Sequence, residues 1–138
     1  MNLEKVSGGP PRILVVDDDY NIKETMKDIL EEEGYIVETA DSLSKAQEII
    51  EKENFNVILS DLSLGEYSSL SLVELVRRKS PHTIFILITG QDKLDADLEA
   101  TKNDVDEYIL KPIQPNELIH KIKIHLEKQM LTKKLSQK

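Results

Sequence analysis

Phe55-Asn56-Val57-Ile58-Leu59-Ser60-Asp61-Leu62-Ser63-Leu64-Gly65 is the stretch on which the reading of the fold turns. Val57 to Leu59 make a compact apolar run with turn residues after it, the pattern of a short strand covered on both faces of a parallel sheet. Asp61 ends that run. A carboxylate where a parallel strand opens into its loop stands at the edge where open α/β sheets place their ligands. Taken alone, Asp61 reads first as a solvated strand end. The neighbouring elements decide otherwise.

Upstream, Ile13-Leu14-Val15-Val16 is a second buried run, and it stops at Asp17-Asp18-Asp19. Ile22, Met26, Ile29 and Leu30 follow at helical spacing, with Gly34 placed to end that helix. Ile36 to Ala40 reads as a strand, and Ala46, Ile49 and Ile50 mark a helix capped by Asp41 or Ser42. Downstream, Leu70, Leu72, Val73, Leu75 and Val76 predict a helix closed by Ser80-Pro81. Thr83 to Thr89 predicts the fourth strand. Asp92 to about Lys102 predicts a weaker acidic helix, Tyr108 to Leu110 a fifth strand, and Pro115 the first turn of a last helix. Strands and helices alternate throughout. The expected fold is therefore a doubly wound α/β domain, a five-stranded parallel sheet in the flavodoxin-like order 2-1-3-4-5 with five helices.

At 138 residues the chain holds one domain with a sizeable core. Residues 1–11 are expected as a flexible leader, 12–128 as the domain and 129–138 as a helical extension or linker. Aromatic residues are 4%, so the core falls to Ile, Leu and Val. Cysteine is absent, which excludes disulfides and thiolate metal sites. No stretch is apolar enough for a membrane span and the first residues do not resemble a signal peptide, so a cytoplasmic location is expected. Lys111 to Lys138 carries seven lysines against two glutamates, a net +5. The rest holds eleven basic and twenty-four acidic residues, a net −13, and such a body is a poor match for nucleic-acid phosphates.

In the expected strand order, Asp17, Asp18 and Asp61 meet at one crevice, and Thr89 and Lys111 end strands on the same edge. Three carboxylates brought together repel, and some protonate unless a cation neutralises them. All-oxygen ligation suits magnesium. Lys111 supplies a point charge for phosphate oxygens, Thr89 a hydroxyl donor and Asp61 a carboxylate able to form an acyl phosphate.

The runs Ile13 to Asp19, Val57 to Asp61, Ile86 to Gly90 and Tyr108 to Pro112, in this order, resemble the receiver domains of two-component response regulators. The resemblance extends from Arg12 to about Lys128. It implies Asp61 as phosphoacceptor and a magnesium ion at Asp17, Asp18, Asp61 and the backbone carbonyl of Ser63, with Asp18 a direct ligand and Asp17 acting largely through water. It implies Thr89 and Lys111 as the residues that bind phosphoryl oxygens, and Thr89 with Tyr108 as the switch pair. Ser63 and Gln91 fall where the family tunes self-dephosphorylation, and the Lys111-Pro112 bond is expected cis. The donor implied is a histidine kinase or histidine phosphotransfer protein. Such a domain is a switch that catalyses only its own phosphorylation and dephosphorylation, or the same domain excised from a larger hybrid kinase or multidomain regulator.

The pattern departs from the family at Gly65 and Ser69, where Pro and Gly are usual, and at Asp104-Val105, where Gly-Ala is usual. Rival chemistries fit less well. A haloacid-dehalogenase-type phosphatase needs an Asp where Ser63 stands, and a flavodoxin-like carrier would have its flavin phosphate repelled by Asp17-Asp18-Asp19. Asp19 itself reads as a solvated third acid, Asp92 as a helix cap, and His82, His120 and His125 as surface residues. In the last helix, Leu118, Ile119, Ile122, Leu126 and Met130 share one face, and Ile124, Leu131 and Leu135 nearly the opposite one. The second stripe suggests a weak homodimer or a linked output domain, with no nucleic-acid or membrane contact through the domain.

Overall fold

The computed structural model describes residues 9–64, 67–90 and 104–136. Strands β1 (Arg12–Val16), β2 (Ile36–Ala40), β3 (Val57–Asp61), β6 (Ile84–Thr89) and β7 (Glu107–Leu110) form one sheet in the order β2-β1-β3-β6-β7, all pairs parallel. Counting sheet strands alone, this is the expected order 2-1-3-4-5. A two-stranded antiparallel ribbon, β4 (Ser63–Leu64) with β5 (Tyr67–Ser68), follows β3 and was not anticipated. Four helices are described: α1 (Tyr20–Glu32), α2 (Leu43–Lys52), α3 (Leu70–Lys79) and α4 (Pro115–Ser136). The expected acidic helix over 92–102 lies outside the described residues, as do Asp92 and Gln91.

Alternation along β1 divides the core. Ile13 and Val15 face α1 and α4, packing with Met26, Leu30, Leu118 and Ile122. Leu14 and Val16 face α2 and α3, packing with Ala46, Ile50, Leu72 and Val76. Both faces of β3 are covered, as its unbroken apolar run requires. Each buried aliphatic side chain stabilises by about 1.5–3 kcal/mol.

Local chemistry sets the boundaries. Ser42, not Asp41, caps α2, accepting from the Lys45 N–H at 3.2 Å. Gly34 follows the end of α1 with φ +96°, a left-handed backbone that glycine takes without steric cost. Strand β6 begins one residue after Thr83, whose hydroxyl donates to the Phe55 carbonyl and whose N–H closes a turn on Ser80. On α4, Leu118, Ile122 and Leu126 are buried, while Leu131 and Leu135 are exposed. Gln129 still belongs to the packed body, bonding Asn56 and the His82 carbonyl.

Candidate functional site

The parallel arrangement delivers β1, β3, β6 and β7 to one edge at their carboxyl ends. There Asp17, Asp18 and Asp61 each offer a carboxylate oxygen, and these atoms lie within 4.8 Å of one another. Asp17 is fully buried and Asp61 nearly so, whereas Asp18 is exposed. Lys111 reaches across from the residue after β7, its Nζ 2.6 Å from Asp61 Oδ2. Its backbone N–H donates to the Thr89 carbonyl at 3.0 Å, which seats it beside β6, and the Lys111-Pro112 bond is cis.

The two buried carboxylates are held in the same way. Asp61 Oδ1 accepts from the Ser63 N–H at 3.0 Å, and Asp17 Oδ1 accepts from the Asp19 N–H at 2.8 Å. Asp17 Oδ2 is buried and has no hydrogen-bond partner among the described residues. Burial raises the Asp17 carboxyl above its ordinary pKa, and the charges of Asp61 and Asp18 add to this, against the lowering by the Asp19 N–H and Lys111. Burial alone would lower the Lys111 ammonium, but its bond to Asp61 and the three carboxylate charges outweigh that and hold it above the usual lysine range.

An orphaned carboxylate oxygen, three oxygen donors and unrelieved negative charge fit a hard cation such as magnesium. Thr89 is buried at the end of β6, one residue past the Asp61–Ile88 pair, with its hydroxyl only 3.3 Å from the Gly90 carbonyl. Tyr108 is half-buried against the α2–α3 side of the core. Five of the expected site residues thus line one sheet edge, namely Asp17, Asp18, Asp61, Thr89 and Lys111, with Ser63 in the adjoining ribbon.

Asp19 is exposed, as expected of a solvated acid, and its Oδ1 also caps α1 by accepting from the Ile22 N–H at 3.1 Å. The signal was available, since an Asp just before the first periodic apolar residue is a helix-start pattern. His125 is not a free surface residue, because its Nε2 lies 3.1 Å from Glu107 Oε2 and its side chain is largely covered. No local signal joins residues eighteen positions apart on different elements.

A family model described as the response regulator receiver domain matches residues 13–123. The chain belongs to this family. Among relatives of the receiver, the alginate biosynthesis transcriptional regulatory protein AlgB of Pseudomonas aeruginosa is 32% identical over 133 residues, which are 96% of this chain and 30% of AlgB. Regulatory protein VanR of Enterococcus faecium is 31% identical over 117 residues, 85% of this chain and 50% of VanR. Among solved structures, a CheY-like response regulator receiver domain protein from Methanospirillum hungatei superposes with a TM-score of 0.84 at 36% identity, covering 90% of this chain and 99% of that one. The receiver spans about half or less of the length of these two curated relatives. Among its described residues no helix is long and apolar enough to cross a membrane.

Proposed function

We propose that this receiver is a magnesium-dependent switch that takes a phosphoryl group onto Asp61 from a histidine kinase or histidine phosphotransfer protein. The observation that carries this is the convergence of Asp61 with Asp17 and Asp18 within 4.8 Å, while Lys111 sits on Asp61 at 2.6 Å. Asp17, Asp18 and Asp61, with the Ser63 carbonyl, would hold the magnesium, whose charge offsets that of the carboxylates and the incoming phosphoryl oxygens.

The residues then do the following. An Asp61 carboxylate oxygen attacks phosphorus, the P–N bond of the phosphohistidine breaks, and the imidazole leaves with the electron pair and gains a proton from solvent. The product is an acyl phosphate on Asp61. Lys111, held protonated, moves from Asp61 to a phosphoryl oxygen. Thr89 gives up its long contact to the Gly90 carbonyl and donates to another phosphoryl oxygen. Tyr108 turns into the space Thr89 leaves, and that movement is the output. Ser63 and Gln91 set how quickly water removes the group. The chain catalyses no other turnover.

Labelling with a small phosphodonor and magnesium tests the assignment. Intact mass should show one added phosphoryl group, stable in acid and labile in base, and none in Asp61→Asn. Equal labelling of the Asn variant would remove Asp61 from the role.

The relatives' greater length supports reading the chain as a switch domain, from residue 12 to the last packed turn at Gln129, whose remaining helix leads toward an output. The exposure of Leu131 at 60% and Leu135 at 67% supports a contact through the end of α4, with a second copy or a linked domain. Lysines at 128, 133 and 134 keep any self-association weak. Sedimentation should show a concentration-dependent dimer that Leu131→Glu with Leu135→Glu dissolves; a monomer at high concentration would reduce the stripe to a linker.

A further inference from the structure

Asp19 stands between the acidic pair and α1, and three bonds fix it. Its carboxylate accepts from the Ile22 N–H at 3.1 Å, its carbonyl accepts from the Lys23 N–H at 3.0 Å, and its own N–H donates to Asp17 Oδ1 at 2.8 Å. The first two bonds set its backbone at φ −86° and ψ 114°, the extended geometry of a helix cap, and so fix the direction of its N–H. The third bond occupies one oxygen of a fully buried carboxylate and leaves the other, Oδ2, without a partner among the described residues. We infer that Asp19 is a positioning residue, whose cap on α1 fixes which oxygen of Asp17 is presented to the cation. The inference rests on the magnesium reading of the site.

A third acid so close to two others invites a simpler account, in which it only adds negative charge. The geometry separates the two. A cap works through an acceptor oxygen, which Asn supplies as well as Asp, whereas a charge effect is lost in Asn. Loosening the cap lets Asp17 rotate in its pocket, and disturbing a partner that orients a metal ligand costs about 10–100-fold in affinity.

The 138-residue chain, without phosphodonor, is titrated with magnesium by calorimetry as wild type, Asp19→Ala, Asp19→Asn and Ser42→Ala. Asp19→Ala should bind about tenfold more weakly, and Asp19→Asn should match wild type. Ser42→Ala removes the equivalent cap from α2, so it should lose comparable stability and keep its magnesium affinity. In metal-free protein, the residue-19 amide should exchange faster in the Ala variant and not in the Asn variant. Unchanged affinity and exchange in Asp19→Ala, or an Asn variant as weak as the Ala one, overturns the positioning role. A wild-type chain that takes no magnesium overturns the magnesium reading instead, and amide exchange then still decides whether the cap holds Asp17.

Discussion

The two ends of β3 are built by opposite rules. At its entrance, the polar groups of Asn56 are engaged by neutral partners. Its N–H and side-chain oxygen pair with the Arg12 backbone at 2.8 and 2.9 Å, its carbonyl accepts from Ile84 at 3.0 Å, and its amide reaches Gln129 on α4 at 3.3 Å. One residue ties β1, β3, β6 and α4 in register. At its exit, Asp61 stands beside two further carboxylates with the Lys111 ammonium bonded to it at 2.6 Å, and the buried Asp17 keeps an oxygen unpaired. The first end fixes the fold. The second holds more carboxylate charge than Lys111 alone neutralises, which is what the proposed cation and phosphoryl site calls for.

Exchanging the polar residue at each end should separate these roles. Asp61→Asn should abolish phosphoryl labelling while the chain still folds, since the substitution relieves repulsion from Asp17 and Asp18 but also gives up the charge that pairs with Lys111. Asn56→Ala should do the reverse. It strands the Arg12 N–H and Gln129, and costs about 1–3 kcal/mol in chemical denaturation, with labelling retained. Lost labelling in folded Asn56→Ala would mean that the two ends are coupled through the strand.

A smaller effect sharpens the same contrast. Because burial and neighbouring carboxylates raise the Asp17 pKa, the stability its protonated form contributes is present below the ordinary value of 3.8 and lost as pH rises through the folded value. At neutral pH without metal, the ionised form is a cost. Asp17→Asn should therefore stabilise the metal-free protein at pH ~7, by on the order of 1 kcal/mol, with the gain shrinking toward pH ~3. Magnesium should reverse the order, stabilising the unaltered chain more than the variant. A destabilised metal-free variant at pH ~7 would show that the carboxylate is already satisfied.

How much of this was legible in the sequence follows the range of the interactions. Buried runs such as Ile13 to Val16 declared their strands, because a covered parallel strand needs apolar residues on both faces. The candidate site residues were legible because topology places strand ends together, so Asp17, Asp61 and Lys111 could be assembled without coordinates. Asn56 and Gln129 were not legible. Their bonds join residues seventy-three apart, and an amide at a strand entrance has the composition of any loop. The β4–β5 ribbon was missed because two-residue strands carry no periodicity, and Gly65 gave only a turn.

The smallest expected effect lies on edge strand β7, away from both ends of β3. Glu107 gives one oxygen to Lys121 Nζ at 2.9 Å and the other to His125 Nε2 at 3.1 Å, and Lys121 also donates to the Tyr108 carbonyl at 3.1 Å. This cluster fastens α4 to the strand carrying Tyr108. Burial would raise the Glu107 pKa, but the bonds and charges of Lys121 and His125 outweigh it and hold the carboxyl below its usual range. A depressed carboxyl contributes stability that is present above its ordinary value of 4.5 and is lost as pH falls through the folded value. These side chains are 14–31% exposed, so water screens part of the attraction. Glu107→Gln should accordingly cost no more than about 1 kcal/mol at neutral pH. The difference should close by about pH 3, where the unaltered carboxyl is itself largely protonated. Denaturation midpoints at the two pH values decide between charge and shape: a deficit that closes in acid assigns the fastening to ion pairing, and one that persists assigns it to packing of the side chain alone.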